Sequence, residues 1–249
     1  MSTVGIGIIG AGVISAIYLK NLTTRWDHVR VIGVADLLAE RAAARAGEFG
    51  VEALSIDDLL AHPDVDIVLN LTIPAVHAQV SQQAIAAGKS VYSEKPLAID
   101  LADAKAVIEA ATQAGVLVGN APDTFLGAGL QTVRQAIDDG VIGTPIAFTA
   151  RMITHGMEDW HPDPYFFYQP GAGPMLDMGP YYVTALASIL GPVKSISSRT
   201  SAGFAERVVS TPASPKKGDV IPVNTPTHIE SVIELESGVT GTLTTSFDL

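Results

Sequence analysis

In the first half of the chain, short apolar runs alternate with stretches in which apolar residues recur every three or four positions, the pattern of strands alternating with helices. Val4 to Ile9 predicts a strand, and Ile14, Ile17, Tyr18 and Leu22 then predict a helix. Val29 to Ala35 predicts a second strand, followed by an alanine-rich helix to about Gly47. Ser55 and Asp58 form a capping-box signature before Leu59-Leu60. Ile67 to Leu71 predicts a buried strand, Ala75 to Ala87 a helix closed by Gly88, and Val91 to Ser93 another strand. Asp100 is placed to cap a helix to Ala114, which Gly115 ends before a strand at Val116 to Gly119. Such alternation implies a doubly wound parallel sheet, whose ligands gather at the C-terminal ends of its strands. Asn70, Thr72, Pro74, Glu94, Lys95 and Asn120 fall at such ends.

Past a link at Pro122 to Leu126 and a helix to about Asp139, the texture changes. Ile146 to Ile153, Val193 to Thr200, Thr227 to Leu235 and Val239 to Phe247 are long strand-like runs, the last two joined as a hairpin at Glu236-Ser237-Gly238. This predicts an α+β domain with an open, mostly antiparallel sheet. Pro180 suits a first helical turn, and Val183, Leu186 and Leu190 give that helix an apolar face until Gly191-Pro192. The Val208 to Thr225 segment reads as an exposed excursion between strands. The two textures divide the chain into domains at 1–121 and 122–249.

Composition narrows the partners. With 47% hydrophobic residues in 249, the chain has enough apolar material for two domains. A net charge of −11 repels phosphate backbones and anionic membranes, so neither nucleic acid nor a membrane is expected as a partner. The absence of cysteine excludes disulfides and thiolate metal sites and fits the cytosol. No apolar run reaches the ~20 residues that span a bilayer, and the apolar start from Val4 to Leu19 lacks the basic region of a signal peptide.

Gly10-Ala11-Gly12-Val13-Ile14-Ser15 follows the first strand. In a dinucleotide fold the first glycine permits the turn, the second lets a pyrophosphate approach the backbone, and the helix start faces the phosphates. A glycine turn before any helix looks similar. Asp36, 24 positions after Gly12, closes the second strand where an acid binds the adenosine ribose, though it equally suits a helix cap. No cation follows it until Arg41, which points to NAD rather than NADP.

The richest polar segment runs from His155 to Tyr165 and on through Tyr168 to Tyr182. The spacing of His155 and His161 among Glu158, Asp159 and Asp163 matches no common metal-ligand pattern, and no metal is expected. Trp160, His161 and Asp163 fit a sugar better, offering a ring to stack on and groups to bond hydroxyls. Asp177 and Tyr181, four apart, share one side of a helix start. The same spacing describes an N-cap aspartate and a half-buried tyrosine.

Together, Gly10-Ala11-Gly12, Thr72-x-Pro74-x-x-His77, Glu94-Lys95-Pro96 and Gly171-x-Gly173-x-x-x-Asp177-x-Gly179 resemble the Gfo/Idh/MocA oxidoreductases, which include glucose–fructose oxidoreductase and inositol dehydrogenase. The resemblance implies a Rossmann domain binding NAD or NADP, a second domain whose open sheet makes a homodimer or homotetramer, and hydride transfer on a secondary hydroxyl of a sugar, cyclitol or related polyol. Gly10, Gly12, Val13, Ile14, Asp36, Thr72, Pro74, His77, Glu94, Lys95 and Asn120 are then the candidate cofactor residues. Lys95, Asp177 and Tyr181 are the candidate catalytic residues, and Trp160, His161, Asp163, Asp177 and Tyr181 the candidate substrate residues. Many members carry a histidine where Tyr181 stands, and members commonly continue past Leu249, which leads us to expect a truncated or split member, or a sheet completed between subunits. The rival readings are a catalytically inactive nucleotide-binding sensor or assembly protein and an enzyme that cleaves glycosides by transient oxidation with NAD.

Overall fold

Val4–Ile9 forms strand β1 in the middle of a sheet covered on both faces, which is why the run is apolar at consecutive positions: Ile6, Ile8 and Ile9 are all buried. In the computed structural model, which describes residues 3–249, two compact units comprise residues 1–121 and 122–249. In the first, β1 is followed by α1 (Ser15–Thr24), β2 (Val29–Ala35), α2 (Ala39–Phe49), β3 (Glu52–Ala53), α3 (Ile56–Ala61) and β4 (Ile67–Asn70). Then come α4 (His77–Ala86), β5 (Ser90–Ser93), α5 (Leu101–Ala114) and β6 (Val118–Asn120). All strands pair in parallel, in the order β3-β2-β1-β4-β5-β6. This is the dinucleotide-fold order, which reverses direction between β1 and β4 and opens a crevice at their C-terminal ends. One face buries Leu59, Val80, Ile85 and Val107, the other Leu19 and Leu22, each worth roughly 1.5–3 kcal/mol relative to exposure.

The local signals hold with small shifts. Ser55 Oγ accepts the Asp58 amide at 3.0 Å at the start of α3. Asp100 makes no side-chain cap on α5, and β6 begins at Val118, so Asn120 is its last residue.

The second unit comprises α6 (Ala128–Asp138), β7 (Ala147–Ile153), α7 (Gly173–Asp177), α8 (Gly179–Leu190), β8 (Val193–Ser201), β9 (Glu206–Val208), β10 (Val220–Pro222), β11 (His228–Leu235) and β12 (Thr240–Ser246). Its main sheet has the order β7-β12-β11-β8. β11 is antiparallel to both neighbours, and β7 joins β12 in parallel. One face buries Ile233, Leu235 and Leu243 against Met175, Tyr182, Val183 and Leu190, while Thr149, Arg151, Ser197 and Val232 on the other are exposed.

The sequence was misleading in two places here. The Val208 to Thr225 segment is not merely an exposed excursion: β9 and β10 pair antiparallel, and Val209 and Ile221 are buried with Met157, Phe167, Tyr168 and Phe247. The helix start around Asp177 is a break, because Asp177 ends α7 and the chain re-enters a helix at Gly179. No helix among the described residues is long and apolar enough to cross a membrane.

Candidate functional site

The site residues of each unit are built by local chemistry. At the end of β1, Gly10 has φ +109°, and a Cβ there would stand 2.5 Å from Leu71 O. Only glycine lets the chain turn this close to the loop after β4. At Gly12 an added Cβ would meet nothing within 4 Å, so the turn presents open space, with Val13 88% exposed beside it. Ser15, buried in the third position of the fingerprint, donates from Oγ to Gly12 O at 2.6 Å. A small residue there lets α1 pack close.

Asp36 stands one residue past β2, where its Oδ2 accepts the Ala11 amide at 2.8 Å and its Oδ1 the Leu38 amide at 2.9 Å. It therefore shapes the glycine turn, and each oxygen keeps a lone pair for another donor. Arg45 of α2 donates to Gly12 O at 3.2 Å and pairs with Glu48. These residues, with Val13, Arg41 and Ala44, line an open depression of about 450 Å³ beside the turn. The open face of Gly12, the helix start and the carboxylate at the end of β2 suit the pyrophosphate and adenosine ribose of a dinucleotide.

A buried polar lattice lies at the ends of β4 and β5. Asn70, fully buried, donates to His77 O at 2.8 Å and Ser81 Oγ at 3.0 Å, and its Oδ1 accepts Thr72 Oγ1 at 2.6 Å. His77 is 1% exposed, with Nδ1 2.6 Å from Pro96 O and Nε2 3.0 Å from Thr72 O. Its ring edge is turned to backbone, whereas Ile73 in the same loop is 66% exposed. Glu94 accepts Tyr18 Oη on Oε1 at 2.8 Å and the Lys95 amide on Oε2 at 3.1 Å. Asn120 Nδ2 donates to Ser93 O at 3.0 Å and Glu94 O at 3.1 Å.

In the second unit, the loop from Thr154 to Gly171 carries Trp160, His161 and Asp163 at its surface. Trp160 is 57% exposed, and its ring meets His161 edge to face at 5.3 Å. His161 Nδ1 accepts the Asp163 amide at 3.1 Å, and Lys216 pairs with Asp163 at 3.0 Å. Below them, buried Glu158 accepts Arg207 Nη1 at 3.0 Å and the Tyr168 hydroxyl. Burial, and then the Glu158 carboxylate, hold the Tyr168 phenol well above its usual range. Asp177 closes α7, and Tyr181 lies in the first turn of α8, its amide donating to Met178 O at 3.1 Å. Gly173 takes φ +86° where a Cβ would stand 2.8 Å from Pro226 O, so the glycine run before Asp177 is needed for close passage past the β11 approach.

Tyr18, Arg207, Glu158 and Tyr168 were not singled out as site residues from the sequence. In the sequence Tyr18 stands within the apolar stripe of α1. Its signal is a hydroxyl at an otherwise apolar position, one helical turn past the glycine turn.

Comparison with known proteins adds a second line of support. Residues 4–121 match the family model described as "Oxidoreductase family, NAD-binding Rossmann fold", and residues 130–249 match the GFO/IDH/MocA C-terminal domain. The chain is 32% identical over 210 residues to a 1,5-anhydro-D-fructose reductase of Ensifer adhaerens, covering 82% of this chain and 62% of that protein. It is 36% identical over 151 residues to inositol 2-dehydrogenase 3 of Saccharopolyspora erythraea, covering 58% and 43%. The chain thus spans less than two thirds of the length of these relatives. Among solved structures, the WlbA dehydrogenase from Bordetella pertussis, in complex with NADH and UDP-GlcNAcA, superposes with a TM-score of 0.85 at 21% identity over 100% of this chain and 68% of that one. A levoglucosan dehydrogenase with NADH and levoglucosan superposes with 0.83 at 21% identity over the same shares.

Proposed function

The chain belongs to the Gfo/Idh/MocA oxidoreductase family, and from that premise we propose that it transfers a hydride between NAD and a secondary hydroxyl of a sugar, cyclitol or related polyol. The observation that carries the proposal is the coincidence of an open glycine turn, the Asp36 carboxylate and the Glu94-Lys95-Pro96 loop along the strand ends of one sheet. When bound, the nicotinamide supplies the hydride acceptor.

The chain's own residues have four tasks. Gly12 and the start of α1 receive the pyrophosphate, while Thr72 and Pro74 border the nicotinamide half. Asp36 bonds the adenosine ribose, and its carboxylate repels a 2′-phosphate at that position, which supports NAD over NADP. Lys95 contacts the reacting hydroxyl, Tyr181 is the candidate group for its proton, and Asp177 is the candidate that orients the substrate. Trp160, His161 and Asp163 bind the remaining ring face and hydroxyls. The exposed face of the four-stranded sheet supports a homodimer or homotetramer, which light scattering would test, and the cysteine-free composition supports a cytosolic location.

Turnover tests the reading. Purified protein is mixed with NAD or NADP and a panel of myo-inositol, levoglucosan, 1,5-anhydro sugars and UDP-sugars, and reduced nicotinamide is followed by absorbance. We expect turnover with NAD that Lys95→Ala abolishes and Tyr181→Phe lowers at least ~100-fold. Nucleotide binding with no turnover on any polyol would favour the sensor, and no binding would remove the cofactor assignment.

A further inference from the structure

Side chains from three elements hold the backbone on either side of Lys95. Its amide donates to Glu94 Oε2 at 3.1 Å, and the other oxygen of that carboxylate accepts the Tyr18 hydroxyl at 2.8 Å. Tyr18 lies on α1, one turn beyond the glycine loop. On the far side of the lysine, Pro96 O lies 2.6 Å from Nδ1 of His77 on α4, and Nε2 of the same ring lies 3.0 Å from Thr72 O. Both partners of the imidazole are acceptors: the neutral ring donates to one of them and the imidazolium to both. The residues before the lysine are held by Asn120, through Ser93 O and Glu94 O.

We propose that Tyr18 and His77 are positioning residues for Lys95, clamping its backbone from both sides so that the ammonium is delivered in one place. The inference rests on the hydride-transfer reading for the importance of Lys95, and on geometry alone for the clamp. It assigns His77 to holding the backbone in place of touching the cofactor, since the ring is buried and both nitrogens face carbonyls. It also ties the lysine loop to the helix whose N-terminus would hold the pyrophosphate. Tyr18→Phe removes one hydroxyl at a half-buried site and leaves Glu94 free to swing away from the Lys95 amide. His77→Gln replaces two ring nitrogens by one amide nitrogen, which cannot serve Pro96 O and Thr72 O from the two positions the ring occupies.

The test combines amide hydrogen exchange with kinetics on Tyr18→Phe and His77→Gln. The Lys95 amide, bonded to Glu94 Oε2, should exchange about tenfold or more faster than in the wild type, while strand amides of Leu69 and Val91 keep their protection. NADH Kd should stay within about twofold, and kcat for a polyol should fall at least ~10-fold with KM changed less than ~3-fold, because misplacement acts on the reacting geometry. A merely structural role would raise exchange across β4 and β5 together and lower Tm without this split. Unchanged Lys95 exchange overturns the proposal. Should His77→Gln not fold, Tyr18→Phe decides it. If the wild type turns over no polyol, the hydride-transfer reading fails on its own, and the exchange result still decides whether the clamp exists.

Discussion

The Arg207 guanidinium donates to Glu158 Oε1 at 3.0 Å with both side chains almost sealed from water, at 5% and 10% exposure. Its Nη2 donates to Phe247 O at 2.9 Å and to the Asp248 carboxylate. One cation thus ties β9 to the aromatic loop and to the end of β12. Breaking a buried pair by removing one partner strands a charge and costs roughly 3–5 kcal/mol. We expect Arg207→Met to lose about that much in denaturant unfolding followed in the C-terminal unit, whereas Lys216→Ala, which removes an exposed pair with Asp163, should change it by less than ~1 kcal/mol.

The phenol of Tyr168 sets an alkaline limit. Burial and the Glu158 carboxylate raise its folded-state pKa, so the stability it contributes is fully present below the unfolded value of ~10 and is lost as pH rises from there toward the folded value. The expected slope is up to ~1.4 kcal/mol per pH unit above pH ~10. Tyr168→Phe should remove that increment while lowering stability at neutral pH, because Glu158 Oε2 and the Met157 amide lose their partner. Denaturant titrations of both proteins at neutral and alkaline pH check this; an equal alkaline slope in the two contradicts it.

The two glycines of the nucleotide turn should fail in different ways. Gly10→Ala combines a left-handed φ with a contact to Leu71 O, so it should lower stability by at least ~1–3 kcal/mol. Gly12→Ala meets open space in the protein. It should keep the wild-type Tm and weaken NADH binding at least ~10-fold, since the added methyl occupies the approach of the pyrophosphate. Thermal melts and nucleotide titrations separate the two.

Much of this architecture was readable because it is local. The β1–turn–α1 unit, the Ser55 cap and the β11–β12 hairpin follow from short-range periodicity and turn chemistry. β3 was not readable, since two residues, Glu52 and Ala53, carry no period. Nor were β9 and β10, where Ile221, and Val209 just past β9, are buried among prolines, lysines and glycines, or the parallel pairing of β7 with β12, which depends on partners far apart in the chain. The candidate site divides the same way. Motif spacing indicates Lys95 and Asp177, but that the Tyr18 hydroxyl reaches across 76 positions to Glu94, or that the His77 ring faces backbone, is decided by tertiary packing.

Hydride transfer itself is the central claim, and isotope transfer tests it most directly. The protein is incubated with NAD and carbon-deuterated myo-inositol or levoglucosan, and the reduced nicotinamide is recovered for mass spectrometry. The account predicts one deuterium on the nicotinamide ring per turnover, lost in Lys95→Ala. Nucleotide that binds yet never acquires deuterium from any polyol would contradict it.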